Sequence, residues 1–258
     1  MYNPLFSGAF DAAELVTEAF TLFFIGLVLY LRREDRREGY PLEDDVSGRL
    51  EPMGTLFWAS KPKTFILHNG EGTVTVPDGR RDDWELKAKR TARADGSPLQ
   101  PVGDPLQAGV GPGAYARRAK HPDMLTHGGV KIAPLRVSKG FSVDPKSPNP
   151  IGMKVVGADG VAAGVVSDVW IDRTEFMIRY LEVALAGSDT KVLAPMPMAI
   201  VSRGKKTVTV RALLGSQFSG APVLENPDQI TFDEEERVAA YYGGGLLYAS
   251  PDRAEPYL

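Results

Sequence analysis

Cysteine is absent from the 258-residue sequence, and only three histidines are present, His68, His121 and His127. A chain without cysteine forms no disulfide, no thiol nucleophile and no cysteine-ligated metal site. The histidines match no HExxH or Cys/His spacing, so a dedicated metal site is not expected. The charges nearly cancel, with 30 Lys and Arg against 33 Asp and Glu, and this balance gives no reason to expect nucleic-acid binding.

Signatures of an enzyme active site are also lacking. The glycine-rich segment 109–113 reads GVGPG, but it has no Gly-Lys-Ser/Thr ending and no strand pattern before it, so a turn-rich loop is the better interpretation. No Gly-x-Ser-x-Gly nucleophile motif is present. The sequence therefore predicts that the chain is not an enzyme.

What the sequence does contain is one long apolar run, AAELVTEAFTLFFIGLVLYL at residues 12–31. As a helix rising ~1.5 Å per residue, such a run covers ~30 Å, the thickness of the hydrocarbon core of a bilayer. A cleaved signal peptide would need a basic leader and small residues after the run, and neither is present. The other alternative is a buried helix of a soluble domain, but an isolated N-terminal run with no polar face opposite its apolar residues favours lipid. We therefore expect a transmembrane helix over residues 12–36.

The apolar run ends in an arginine-rich sequence, RREDRR at 32–37. Because positive residues remain on the cytoplasmic side, we expect the tail 1–11 in the periplasm and everything after the helix in the cytoplasm. Guanidinium groups and an amphipathic ring at this boundary could hold anionic lipid. Alternatively, the same residues could serve only to fix the orientation of the helix in the membrane. The residues concerned are Tyr30, Arg32, Arg33, Arg36 and Arg37. Glu18 would lie inside the span, where a carboxylate is costly, so we expect it to face a partner helix.

Two further segments follow the helix. Residues 37–140 are rich in proline, contain a strand pair at 64–67 and 73–76, and are expected to form an extended segment docked on another surface. Residues 141–258 contain short strand patterns separated by tight turns, which predict a small antiparallel barrel. Thr231 and Glu234 form a capping box for a helix expected to run to about Tyr242 and to end at glycines 243–245. The predicted fold class is a single N-terminal transmembrane helix, a mainly β cytoplasmic domain with a small barrel, and a C-terminal helix.

Two groups of titratable residues are candidates for a site. The first flanks or lies within two consecutive strand patterns, and its spacing alone favours solvated turns; it comprises Asp168, Asp172, Glu175 and Glu182. The second could collect protons or bind a metal weakly, although exposed loop histidines are the simpler interpretation; it comprises His121, Asp123 and His127.

The chain also carries a series of short motifs along its whole length. They are YLRREDRREGYPL at 30–42, PKTF at 62–65, GTVTVP at 72–77, GDP at 103–105, VGP at 110–112, PLRV at 134–137, DVWIDR at 168–173, RYLEV at 179–183, EEERV at 234–238 and GGLLYA at 244–249. Together these motifs resemble the H subunit of the purple bacterial photosynthetic reaction centre, and the resemblance covers essentially the whole chain.

The resemblance implies one transmembrane helix and a cytoplasmic PRC-barrel domain on a subunit that caps the pigment-binding L and M subunits. Those partners carry bacteriochlorophyll, bacteriopheophytin, quinones and non-haem iron, whereas the H subunit itself ligates no cofactor or metal. The implied roles are to stabilise the complex, to shield the quinone sites and to deliver protons to the secondary quinone, in the intracytoplasmic photosynthetic membrane of the bacterium. Antenna subunits, a cytochrome subunit and membrane lipids are further implied partners. The alternative is a membrane-anchored enzyme or regulatory binding module built on the same small barrel.

The resemblance also assigns roles to individual residues. Glu175 matches the family's interior carboxylate near the secondary quinone, Asp172 matches the carboxylate beside it, and His127 matches a surface histidine at the proton entry. This chain departs from the family pattern at Gly129, where the family has a second histidine, and at Leu125, where it has an aspartate. Asp123 and His121 lie on the same loop and are expected to substitute for them.

Overall fold

The computed structural model describes residues 11–44, 46–50, 60–68, 72–79 and 84–253. The chain divides into two compact units, one formed by Met1–Trp84 with Arg93–Gly96 and the other by Glu85–Ala92 with Ser97–Leu258. The division into four segments expected from the sequence, with boundaries after residues 11, 36 and 140, stays a prediction.

The first unit is built on helix α1, Ala12–Glu34, which a 3-10 turn at Asp35–Arg37 extends. Asp11 caps its start by accepting a hydrogen bond from the backbone N–H of Ala13 at 3.2 Å. The helix is long and apolar enough to cross a membrane, as the sequence predicts. Its apolar side chains are exposed in this chain, which is what a lipid-facing surface requires.

A short antiparallel hairpin completes the described part of the first unit. Strands β1, Lys63–Ile66, and β2, Thr73–Val76, pair with Lys63 opposite Val76 and Ile66 opposite Thr73. The strand pair predicted at 64–67 and 73–76 is therefore present within one residue. The Asn69-Gly70 part of the connection lies outside the described residues.

The second unit contains a small hairpin and a larger sheet. The hairpin joins β3, Ala88–Arg90, to β4, Leu99–Pro101. The larger sheet has seven strands: β5 Ile132–Pro134, β6 Lys154–Val156, β7 Ala162–Asp172, β8 Met177–Leu185, β9 Lys191–Pro195, β10 Ala199–Ser202 and β11 Thr207–Val210. Its order is β10-β11-β6-β7-β8-β9, and β5 pairs with β7.

The strand pairing departs from the predicted antiparallel barrel in two respects. β11 and β6 run parallel, whereas every other neighbouring pair among the described strands of this sheet is antiparallel. β9 and β10 stand at the two ends of the described strand path, so the sheet does not close on itself there. The mainly β domain itself is confirmed. Alternate residues of its strands point inward and form the core. In β11, for example, Val208 and Val210 are buried while Thr207 and Thr209 are half-buried.

Helix α2, Phe232–Tyr248, packs on this unit and confirms the predicted C-terminal helix. Its capping box is formed as expected, because Glu234 N–H donates to Thr231 Oγ1 at 3.2 Å and Thr231 N–H donates to a Glu234 carboxylate oxygen at 2.8 Å.

The predicted end of α2 near Tyr242 is wrong, because the helix continues through all three glycines. Gly243 and Gly244 face the 3-10 turn Gly111–Gly113, where a Cβ on Gly243 would stand 2.8 Å from the Pro112 carbonyl oxygen. A Cβ on Gly244 would similarly stand 3.2 Å from Gly113 Cα. The GVGPG segment is the packing partner of these two glycines, and Gly245 lies close to the Ala212 carbonyl instead. All three glycines are therefore needed for close packing.

Candidate functional site

Asp172 ends strand β7 with a buried carboxylate. Its Oδ1 accepts hydrogen bonds from the backbone N–H groups of Thr174 at 2.9 Å and Glu175 at 3.0 Å. These bonds shape the turn that leads into β8, as aspartate side chains commonly do. The same carboxylate faces a cation, because Lys131 Nζ lies 3.6 Å from Asp172 Oδ2.

Lys131 joins Asp172 to the loop that carries the candidate histidines. Its Nζ lies 3.3 Å from Asp123 Oδ2, and its backbone N–H donates to the Asp123 carbonyl at 2.7 Å. The hydrogen bond to Asp123 raises the pKa of Lys131 most, and the negative charges of Asp172 and Glu175 raise it further, against the opposing effect of burial. Lys131 directly precedes β5, whose Ile132 pairs with Asp172, so the sheet register places this cation between the two carboxylates.

The remaining predicted proton-path residues occupy different positions. Glu175 and His127 are exposed, the latter in a turn closed by a hydrogen bond from Gly128 N–H to the Leu125 carbonyl at 2.9 Å. The His121 ring packs edge-on against Phe232 with ring centroids 5.6 Å apart. The structure thus brings Asp123 and Asp172 together through Lys131 and places His121 against the start of α2.

Glu235 is a further member of this cluster that sequence reasoning missed. It accepts a hydrogen bond from the Tyr180 hydroxyl at 2.9 Å. Burial raises the pKa of Glu235, and the charge of Asp123 adds to that effect, while the Tyr180 hydrogen bond, Arg179 and Lys131 oppose it. A signal was available, because Glu235 shares the i, i+3, i+7 spacing of the buried Val238 and Tyr242 on α2.

The other predicted carboxylates form a separate network. Asp168 and Glu182 lie opposite each other on β7 and β8, and Arg136 Nη1 bridges them at 3.1 Å and 3.0 Å. Glu182 also accepts from Lys191 at 2.9 Å and from the Trp170 indole at 3.2 Å. Burial pushes the pKa of Glu182 upward, but its hydrogen bonds outweigh burial and lower the value to about 2.

The expectation that these carboxylates occupy solvated turns is wrong for three of the four. Asp168, Asp172 and Glu182 are 6%, 1% and 3% exposed, and each is compensated by a cation. Cations that are distant in sequence allow burial of charges that would otherwise stay in water.

Two family models match the chain. Residues 4–137 match the N-terminal region of the photosynthetic reaction centre H-chain, and residues 146–217 match the PRC-barrel domain. The first match alone covers more than half of the chain. The chain belongs to the H-subunit family of the photosynthetic reaction centre. Members of this family are structural accessory subunits of the reaction-centre complex, so the alternative of a membrane-anchored enzyme is not supported.

The membrane anchor of this H-family chain carries the predicted interface residues. Tyr30 and Arg32 are exposed, Arg32 pairs with Asp35 at 3.3 Å, and the Arg36 guanidinium lies over the Tyr40 ring at 5.1 Å.

Arg37 differs from the other interface arginines, because it is only 8% exposed and its donors are used within the chain. Its guanidinium bonds both carboxylate oxygens of Glu34 at 2.8 Å and 2.9 Å, and it also donates to the Lys61 carbonyl at 2.6 Å. A further bond reaches the Val76 carbonyl at 3.3 Å. Arg37 therefore ties the hairpin β1–β2 to the end of α1.

Within the stretches that the structure describes, no group of three or more His, Asp or Glu side chains could hold a metal ion.

Proposed function

We propose that this H-family subunit conducts protons from the cytoplasm to the secondary quinone of the reaction centre. In this proposal it also caps the L and M subunits and shields their quinone sites from bulk water. The observation that carries the proposal is the linked cluster Asp123–Lys131–Asp172, which joins a surface hairpin bearing His127 to the turn bearing Glu175.

The physical need for such a path is clear. A doubly reduced quinone takes up two protons, yet its semiquinone must sit in a site from which water is excluded. Carboxylates and an imidazole on a capping subunit meet both needs, because they pass protons without admitting bulk water. The exposed imidazole of His127 is the entry point of the path in this proposal.

Each member of the cluster has a distinct role in this proposal. Lys131 keeps Asp123 and Asp172 close together despite their like charge, since its ammonium lies within 3.6 Å of both. Asp172 fixes the turn that presents Glu175, and Glu175 passes the proton on. Glu235, whose pKa burial raises, holds a proton more readily than an ordinary glutamate and supplies a reserve beside the path.

In the same proposal, the partner subunits and the membrane take the following parts. The pigments, quinones and non-haem iron are carried by the partner subunits, and this chain ligates none of them. The tail before α1 faces the periplasm and the second unit faces the cytoplasm, in a photosynthetic inner membrane. Arg32, Arg33, Arg36 and Tyr30 hold anionic lipid at the inner interface. Antenna and cytochrome subunits are further partners.

The experiment that tests the proton path is flash-induced quinone reduction in the assembled complex, with a pH indicator to follow proton uptake. Glu175→Gln, alone and with Asp172→Asn, should slow transfer of the second electron while primary charge separation stays unchanged. Asp189→Asn is the matched control, because Asp189 is an exposed carboxylate in the β8–β9 turn of the same domain.

Unchanged second-electron kinetics in both Glu175 variants between about pH 6 and 9 would remove these residues from the path. A slowed primary charge separation would indicate a structural defect instead.

A further inference from the structure

Phe176 has a backbone conformation and an exposure that are both unusual for an aromatic residue. It lies in the left-handed region, with φ of 55°, and its side chain is 79% exposed. A bulky residue with positive φ is a strained outlier, and such strain concentrates at sites where the surrounding structure uses it. Phe176 directly follows Glu175, the proposed final proton donor of this chain.

The turn holds Phe176 in place from two sides. Before it, the Asp172 carboxylate fixes the backbone N–H groups of Thr174 and Glu175. After it, Met177 pairs with Asp172 and closes the β7–β8 hairpin. The ring also lies against Phe141, with centroids 5.5 Å apart and planes inclined by 31°. The aromatic side chain is therefore presented to the outside in a fixed direction, and the exposed Met177 extends the apolar surface.

We propose that Phe176 packs into an apolar depression on the cytoplasmic surface of the membrane-embedded subunit that holds the secondary quinone, and thereby positions Glu175. This inference rests on the proposed function and deepens it. Phe176 is a positioning residue, since it acts through the neighbouring carboxylate. Packing a ring there also excludes water from the backbone that carries Glu175.

Charge distinguishes this partner from the other candidates for the same surface. The exposed carboxylate of Glu175 lies beside Phe176, and an anionic membrane surface would repel it. A second copy of this chain packed here would bring its own Glu175 close to that carboxylate, and the two like charges would repel each other. The chain belongs to a family that associates with the reaction-centre complex, so a protein surface of that complex is the partner that fits.

Three substitutions distinguish the effect of the aromatic ring from the effect of the strained backbone conformation. Phe176→Asn removes the ring but tolerates positive φ, and Phe176→Leu keeps an apolar side chain. Lys206→Asn is the matched control, because Lys206 has φ of 50° in the turn between β10 and β11, away from the proposed surface. All three are made in the full-length chain.

The first measurement is the affinity of each variant for reaction-centre complex depleted of its H subunit. Phe176→Asn should weaken binding by about ten- to hundred-fold, the effect of exposing one buried aromatic side chain. Phe176→Leu should retain affinity within about threefold, and Lys206→Asn should bind as the parent does. Unchanged affinity of Phe176→Asn would overturn the inference. The inference would also be overturned if Phe176→Asn lost binding to anionic-lipid vesicles but kept full affinity for the complex, because lipid would then be the partner.

The second measurement tests positioning in the assembled complex at saturating concentrations of the variant chain. Phe176→Asn should slow the second electron transfer when Glu175 is present and have no further effect on a Glu175→Gln background. Equal slowing on both backgrounds would overturn the positioning role. If Glu175→Gln alone had no effect, the proton-path proposal would fail, whereas weakened binding of Phe176→Asn would still support the docking contact.

Discussion

Replacing Glu182 with glutamine should lower the free energy of unfolding of the second unit by about 2–3 kcal/mol at neutral pH. The carboxylate accepts hydrogen bonds from Arg136, Lys191, Ser167 and Trp170. Burial alone would raise its pKa, but these donors lower it from 4.5 to about 2. At 1.36 kcal/mol per pKa unit the difference corresponds to ~3 kcal/mol of stabilisation. Glutamine keeps the shape and part of the hydrogen bonding, so the expected loss is somewhat smaller.

The same shift fixes the pH dependence of the Glu182 contribution. The folded-state pKa lies below the unfolded value, so the stabilisation is fully present above pH 4.5 and is lost as the pH falls toward 2. The parent protein should therefore lose stability over this window by ~3 kcal/mol more than Glu182→Gln does.

Urea unfolding of the detergent-solubilised full chain measures both effects. Replacing Trp58 and Trp84 with Phe leaves Trp170 as the single fluorescent reporter, and its indole contacts Glu182 directly. With a denaturant slope of ~2 kcal/mol per M, the midpoint should fall by about 1–1.5 M in Glu182→Gln. Asp228→Asn is the matched control, because Asp228 also pairs with Arg136 at 3.0 Å but is 52% exposed. It should cost less than about 1 kcal/mol. Equal midpoints for parent and Glu182→Gln would refute the reasoning.

Two further predictions concern Arg37 and Glu235. Arg37→Gln should raise amide hydrogen exchange of strand β1 by about ten- to hundred-fold, because its guanidinium holds the hairpin through two backbone carbonyls, whereas Arg36→Gln should leave exchange unchanged. Glu235→Gln should gain thermal stability relative to the parent as the pH rises above 4.5. Burial raises the folded-state pKa of Glu235, so ionisation at higher pH costs stability that glutamine does not lose. A parent that instead gains stability over Glu235→Gln with rising pH would contradict this assignment.

The elements that the sequence predicted well are those specified by local patterns. The apolar run of α1, the capping box at Thr231 and the alternation of Val208 and Val210 each carry their signal within a few residues. The end of α2 was mispredicted because glycine ends a helix where it adopts the left-handed conformation, whereas these three glycines keep the helical one. Gly243 and Gly244 are used for close contact with a turn more than 100 residues away, Gly245 packs against Ala212, and no local pattern reports these contacts.

The candidate site was only partly predictable for a related reason. Charge spacing placed Asp172 and Glu175 in one turn, which is correct. It could not reveal that Asp168 and Glu182 lie opposite each other, because that depends on the register between β7 and β8. Like charges directly opposite each other destabilise a strand pair, and Arg136 reverses that effect here. Its position follows from β5, a three-residue strand too short to recognise from its sequence pattern.

Both carboxylate clusters depend on cations from the segment just before and after β5. Lys131 and Arg136 lie within the H-chain match at 4–137, whereas Asp168, Asp172 and Glu182 lie within the PRC-barrel match at 146–217. The barrel carboxylates are thus neutralised by the segment that distinguishes this family from a barrel alone. A fragment of residues 141–258 loses both cations and β5, and it should be less stable than the fragment 85–258 by about 3 kcal/mol or more, because buried Asp168 and Asp172 lose their cations and Glu182 keeps only Lys191. Urea unfolding of the two fragments at pH 7 measures the difference. Equal midpoints would show that the barrel does not need the cations. A deficit that shrinks as the pH is lowered would identify the unpaired carboxylates as its cause, since protonation removes their charge.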